Sequence, residues 1–218
     1  MQKETLNYLI QQPKVIHDKN PLLLLIHGYG SNEEDLFSFA SELPDTYFVI
    51  SVQAPHAMPP YGYAWYAINF DADMNKFTDD AQAVQSRDLL VKFIDEVCEK
   101  YPIDSKDVNL IGFSQGAILS YAIAITYPEK INKVVALSGY FYSEIMTPKQ
   151  DLSAYKHLSV FCSHGSSDQV IPVEWARKTP DYLKEFNIQY EYKEYPVGHG
   201  VAPQNFFDFR KFLNDGAK

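Results

Sequence analysis

The chain has 218 residues, 46% of them hydrophobic and 22% charged, with a formal net charge of −9. This length and composition suit a single folded domain with a large core and exclude a disordered chain. No basic run interrupts the acidic balance, so neither nucleic acid nor stable membrane insertion is expected.

From Met1 to Gln12 no charged start leads into an apolar run, so no secretory signal is read there. The longest aliphatic run, Leu22–Ile26, is too short to span a bilayer. Only Cys98 and Cys162 carry thiols, and their spacing offers neither a metal motif nor a disulfide framework. The expected location is the cytoplasm.

Short apolar runs ending in small residues punctuate the sequence. Leu22–Ile26 precedes His27-Gly28, and Phe48–Val52 precedes Gln53-Ala54-Pro55. Thr78 to Tyr101 then reads as a helix, with Leu90, Ile94, Val97, Cys98 and Tyr101 on one face. Thr78 is its expected N-cap, and Asp79 and Asp80 suit the positive end of the dipole. Val108–Ile111 leads to Gly112, and Gln115–Thr126 is apolar almost all round, the mark of a buried helix, until Pro128 stops it.

Lys133–Leu137 ends in Ser138-Gly139, and Ser159–Cys162 ends in Ser163-His164-Gly165. A helix over Trp175–Phe186, a strand over Gln189–Tyr195 and a helix over Asn205–Leu213 complete the series. Apolar runs without alternation suit strands buried on both faces, so the expectation is one α/β domain over residues 1–218. It holds a mostly parallel sheet with helices on both faces. Ligands bind beyond the carboxyl ends of such strands, where most of the unusual residues fall.

The central motif is Gly112-Phe113-Ser114-Gln115-Gly116, set between a strand and a buried helix. That context makes a sharp turn that lifts a serine hydroxyl above the sheet. A hydroxyl needs a base, and in this arrangement acid and histidine follow the serine in that order. His199, in Gly198-His199-Gly200, is the expected base. Asp168, in the loop His164 to Pro172, is the expected acid; Glu174 and Asp181 are weaker rivals. The other five histidines are read as structural, His27 as a residue that pins its loop. Backbone N–H groups of Tyr29 and Gln115 are the expected oxyanion hole.

These residues resemble the small carboxylesterase/phospholipase-like serine hydrolases that include the acyl-protein thioesterases. The likeness covers nearly the whole chain. It rests on Leu25-Ile26-His27-Gly28-Tyr29-Gly30, the Ser114 motif, Leu137-Ser138-Gly139, His164-Gly165-Ser166-Ser167-Asp168 with Val170-Ile171-Pro172, and Gly198-His199-Gly200. It implies an α/β-hydrolase fold without a large cap, Ser114, Asp168 and His199 as triad, and Tyr29 and Gln115 as oxyanion donors. The family commonly has leucine where this chain has Tyr29; a backbone donor survives that change, and the ring narrows the pocket.

Tyr61, Tyr63, Trp65, Tyr66, Phe141 and Tyr142 are the expected pocket walls, Trp65-Tyr66 by likeness to a Trp-aromatic pair in relatives. The alternative, that these aromatics only cover the sheet, stays open here. The expected reaction is hydrolysis of small acyl esters, thioesters or lysophospholipids through an acyl-enzyme, with no metal or cofactor. A peptidase or amidase with the same triad, and a binding protein that kept the fold without turnover, remain alternatives. The sequence leaves acyl length, physiological substrate and a homodimer open.

Overall fold

β2 (Asn20–Ile26) sets the layout, because its leucines alternate between the two faces of the sheet. Leu22, Leu24 and Ile26 point into one core, and Leu23 and Leu25 into the other. A strand buried on both faces needs helices on both, and the rest of the chain supplies them. The computed structural model describes residues 4–70 and 76–214.

In chain order the strands and helices are β1 (Tyr8–Gln11), β2, α1 (Glu33–Phe37), β3 (Phe48–Val52), β4 (His56–Ala57), β5 (Tyr63–Ala64), β6 (Ile68–Phe70) and β7 (Lys76–Thr78). Then come α2 (Asp80–Lys100), β8 (Ile103–Phe113), α3 (Gln115–Thr126), β9 (Lys133–Leu137) and β10 (Ser159–Gly165). The series ends with α4 (Val173–Ala176), α5 (Thr179–Glu185), β11 (Gln189–Tyr195) and α6 (Pro203–Asn214). Seven strands form the main sheet in the order β1-β3-β2-β8-β9-β10-β11, all parallel except β1, which runs antiparallel to β3. Two small antiparallel ribbons, β4–β5 and β6–β7, stand apart from it.

Helices α2, α3 and α5 pack on one face through residues such as Leu90, Phe93, Leu119 and Leu183. On the other, Leu36 of α1 and Phe206, Phe209 and Leu213 of α6 cover Leu23 and Leu25. All twelve residues of α3 are buried, as expected for its apolar run. Strand order reverses between β2 and β8, so the loops after these two strands diverge and leave a crevice at their carboxyl ends.

Two local features differ from the sequence expectation. The N-cap of α2 is Asp79, whose carboxylate accepts from Gln82 N at 3.0 Å, while Thr78 ends β7. Aspartate is the stronger cap, and the ribbon pairing Ile68↔Thr78 holds Thr78 extended. The expected helix over 175–186 is two helices, α4 and α5, with Pro180 in the first turn of the second. The outer strand β11 has the limits expected of it, and its Glu191, Lys193 and Glu194 are ion-paired. Lys193 meets Glu191 at 3.7 Å and Asp208 at 3.2 Å, and Arg177 forks onto Glu194 at 2.8 Å through both Nε and Nη2.

Close approach of β2, β8 and α3 leaves no room for side chains at Gly112 and Gly116. A Cβ at Gly116 would overlap the Ile26 carbonyl, and one at Gly112 the Gly116 carbonyl. Gly116→Ala is therefore expected to destabilise by about 3 kcal/mol, read as a lowered urea midpoint. An unchanged midpoint would mean that the helix can slide off the strand.

Candidate active site

The crevice is built from loop ends. At the β8–α3 turn Ser114 adopts φ +53°, an uncommon conformation for a residue other than glycine. Its N–H donates to Leu137 O of β9 at 2.9 Å, which anchors the turn to the neighbouring strand. The hydroxyl is thereby raised over the N-terminus of α3, whose first N–H groups lack intrahelical partners.

Two other loops converge on it. Ser114 Oγ lies 3.0 Å from His199 Nε2, and His199 Nδ1 lies 2.7 Å from Asp168 Oδ2. His199 follows β11, Asp168 follows β10, and Phe113 packs its ring 5.0 Å from the imidazole. Asp168 Oδ1 accepts from the N–H groups of Val170 (2.8 Å) and Ile171 (2.9 Å). Burial alone would raise this carboxyl, but the Ile171 N–H, the His199 side chain and the Val170 N–H outweigh it and hold the group below its ordinary value.

His164, assigned no part in this site by the sequence, is the other close neighbour of Asp168. Its Nε2 lies 2.9 Å from Ile171 O and 3.2 Å from Asp168 Oδ2, with both side chains fully buried. Both neighbours are acceptors, so the proton belongs on Nε2, which donates. Nδ1 has no hydrogen-bond partner among the described residues. The four-residue spacing from strand end to acid is the signal that would have found it.

The loop after β2 is held from below. His27 Nδ1 donates to Gly28 O at 2.7 Å and Nε2 accepts from Ala54 N at 3.1 Å. Trp65 Nε1 donates to His27 O at 2.9 Å, and Trp65 N to Gln115 Oε1 at 3.1 Å. Gln115 Nε2 in turn donates to Tyr66 O at 2.8 Å. One buried network thus ties the loop after β2, through His27 and Trp65, to the Gln115 side chain at the start of α3.

Burial lowers the His27 pKa, only partly offset by the Gly28 carbonyl and the carboxylates of Asp35 and Glu33. A depressed folded-state pKa adds stability above the unfolded value, about 6.5, and that contribution is lost as pH falls through the folded value. Lowering the pH from about 8 to about 5 should therefore reduce the Tm of the wild type more than that of His27→Gln. Parallel Tm curves would show that His27 does not titrate differently on folding.

A cavity of about 910 Å³ opens beside Ser114 and His199. Of the expected walls Tyr66, Phe141 and Tyr142 line it, and Tyr29 lines it as well. Tyr61, Tyr63 and Trp65 do not. Tyr61 stands 88% exposed on the β4–β5 ribbon. Tyr63 pairs with Ser31, and Trp65, wholly buried, is a strut beneath the loop. Composition could not separate these roles, since struts and walls use the same aromatics. Tyr140, beside Phe141 on the same segment, also lines it, and Val170 from a loop, Trp175 from α4 and Tyr182 from α5 extend the wall.

The chain is similar to known proteins in sequence and in fold. Acyl-protein thioesterase 1 of Mycosarcoma maydis is 26% identical, covering 95% of this chain and 96% of the relative. Acyl-protein thioesterase 1 of Kluyveromyces lactis is 27% identical, over 90% of this chain and 92% of its own. In fold, the chain matches the Bacillus cereus carboxylesterase with a TM-score of 0.81 at 20% identity, over 96% of this chain and 94% of that one. The architecture is the α/β-hydrolase fold, with no large cap among the described residues. A family model described as Phospholipase/Carboxylesterase matches residues 8–216, and the chain belongs to that family.

Proposed function

We propose that this protein is a serine hydrolase that cleaves carboxylic esters or thioesters of small acyl substrates through an acyl-enzyme on Ser114. The observation that carries this reading is the unbroken chain Asp168–His199–Ser114 opening onto an aromatic cavity. Ser114 Oγ bonds to the carbonyl carbon while its proton passes to His199 Nε2. Asp168 fixes the imidazole with Nδ1 protonated, which leaves Nε2 free to accept. The N–H groups of Tyr29 and Gln115 receive the developing oxyanion. His199 then gives its proton to the departing alkoxide or thiolate as the C–O or C–S bond breaks, and water repeats the cycle to release the acid.

The two cores on either side of one sheet support reading residues 1–218 as a single catalytic domain. A cytoplasmic location is supported by the two unpaired thiols, Cys98 and Cys162. Among the described residues no helix is long and apolar enough to cross a membrane.

Hydrolysis of p-nitrophenyl esters from acetate to palmitate, with fluorophosphonate labelling of Ser114, tests the reading. A histidine base acts only when neutral, so kcat/KM should climb with pH on its acid side. A flat profile from about pH 5 to about pH 9 would remove His199 from the role.

A further inference from the structure

One corner of the cavity is chemically unlike the rest. Asp80, half-buried at the start of α2, lines it and accepts from Tyr142 OH at 2.9 Å. It has no ion-pair partner among the described residues. Three rings meet beside it at steep angles. Tyr140 and Tyr142 are 5.9 Å apart at 64°, and Tyr140 and Trp175 are 5.0 Å apart at 71°. Tyr66 adjoins them on the same wall.

We propose that this corner, Asp80 walled by Tyr66, Tyr140, Tyr142 and Trp175, is a subsite for an alkylated ammonium group. The inference rests on the serine-hydrolase reading and narrows its substrate class to esters that carry such a cation.

An uncharged hydrocarbon chain laid against Asp80 would strip water from a carboxylate and offer it nothing in return. A quaternary ammonium supplies the opposite charge, and its methyl groups settle against aromatic faces, where the ring quadrupole attracts cations. It needs no hydrogen-bond acceptors, which suits a corner in which the Asp80 carboxylate is already partly engaged by Tyr142. The net charge of −9 favours the approach of a cation as well. Lys178 also lines the cavity, but it is exposed, where salt and solvent screen it more than they screen Asp80.

Two isosteric pairs of esters test the proposal, one for each side of the scissile bond. Butyrylcholine is compared with 3,3-dimethylbutyl butyrate, and p-nitrophenyl 4-(trimethylammonio)butyrate with p-nitrophenyl 5,5-dimethylhexanoate. In at least one pair the cation should raise kcat/KM about tenfold, and Asp80→Asn should bring that ratio to about one. Parity in both pairs overturns the subsite, and so does a preference for the cation that survives Asp80→Asn. If the wild type hydrolyses neither these esters nor p-nitrophenyl butyrate, the hydrolase reading fails instead. Calorimetric titration with choline against 3,3-dimethylbutanol then decides the subsite alone. Choline binding lost in Asp80→Asn keeps it, and equal or absent binding of the two removes it.

Discussion

Ser114→Ala is expected to lower kcat by on the order of 10⁶-fold and to leave the fold intact. Among the described residues the Ser114 hydroxyl meets only His199 Nε2, so no structural hydrogen bond leaves with it. The anchoring N–H to Leu137 O belongs to the backbone and survives. Alanine inherits the same φ of +53° that serine already tolerates, with no added bulk to overlap the Gly28 loop. Turnover of p-nitrophenyl butyrate, with circular dichroism to check the fold, measures the effect. Retention of more than a few per cent of wild-type kcat would show that another group attacks the carbonyl.

Asp168→Asn should cost about 10⁴-fold in kcat, and the reason lies in which oxygen does what. Oδ1 accepts two backbone N–H groups, from Val170 and Ile171. Only an oxygen satisfies both, so the new amide must turn its NH₂ toward the place of Oδ2. There it faces His199 Nδ1, which must then accept rather than donate, and the ring proton moves to Nε2. With Nε2 protonated, the imidazole no longer takes the Ser114 proton. The same NH₂ also faces His164 Nε2, another donor, at a position where the carboxylate oxygen lies 3.2 Å away. A loss smaller than tenfold would mean that Asp168 does not set the tautomer, and Glu174 would then be examined as the acid.

Much of this architecture is legible in the residues because buried parallel strands have a blunt signature. Phe48–Val52, Lys133–Leu137 and Gln115–Thr126 are elements with the limits that their apolar runs give. Elsewhere the signal weakens with burial. Strand β8 begins at Ile103, five residues before its continuous apolar run, because the polar stretch Asp104–Asp107 bulges out of register between the pairs Asn20↔Ile103 and Leu22↔Val108. β1 carries little signal, since its four residues, Tyr-Leu-Ile-Gln, form a half-buried edge with no alternation. In the site, the serine, acid and histidine stand out because each sits in a motif or among glycines at a strand end. The cavity wall does not, because Trp175 and Tyr182 reach it from helices that no local pattern directs there. His164 was hidden by its neighbourhood: its part depends on a carbonyl and a carboxylate brought close by a loop.

The charged outer strand β11 bears on how copies of this chain meet. A parallel sheet with one apolar rim invites another copy to add its own strand and continue the ladder. Here that rim carries charge, with Lys193 paired to Glu191 and Asp208 and Arg177 forked on Glu194. Charged side chains along an open rim discourage such edge-to-edge growth, and with it fibril formation through that side. Any self-association of this hydrolase is therefore expected to use a face other than the β11 rim.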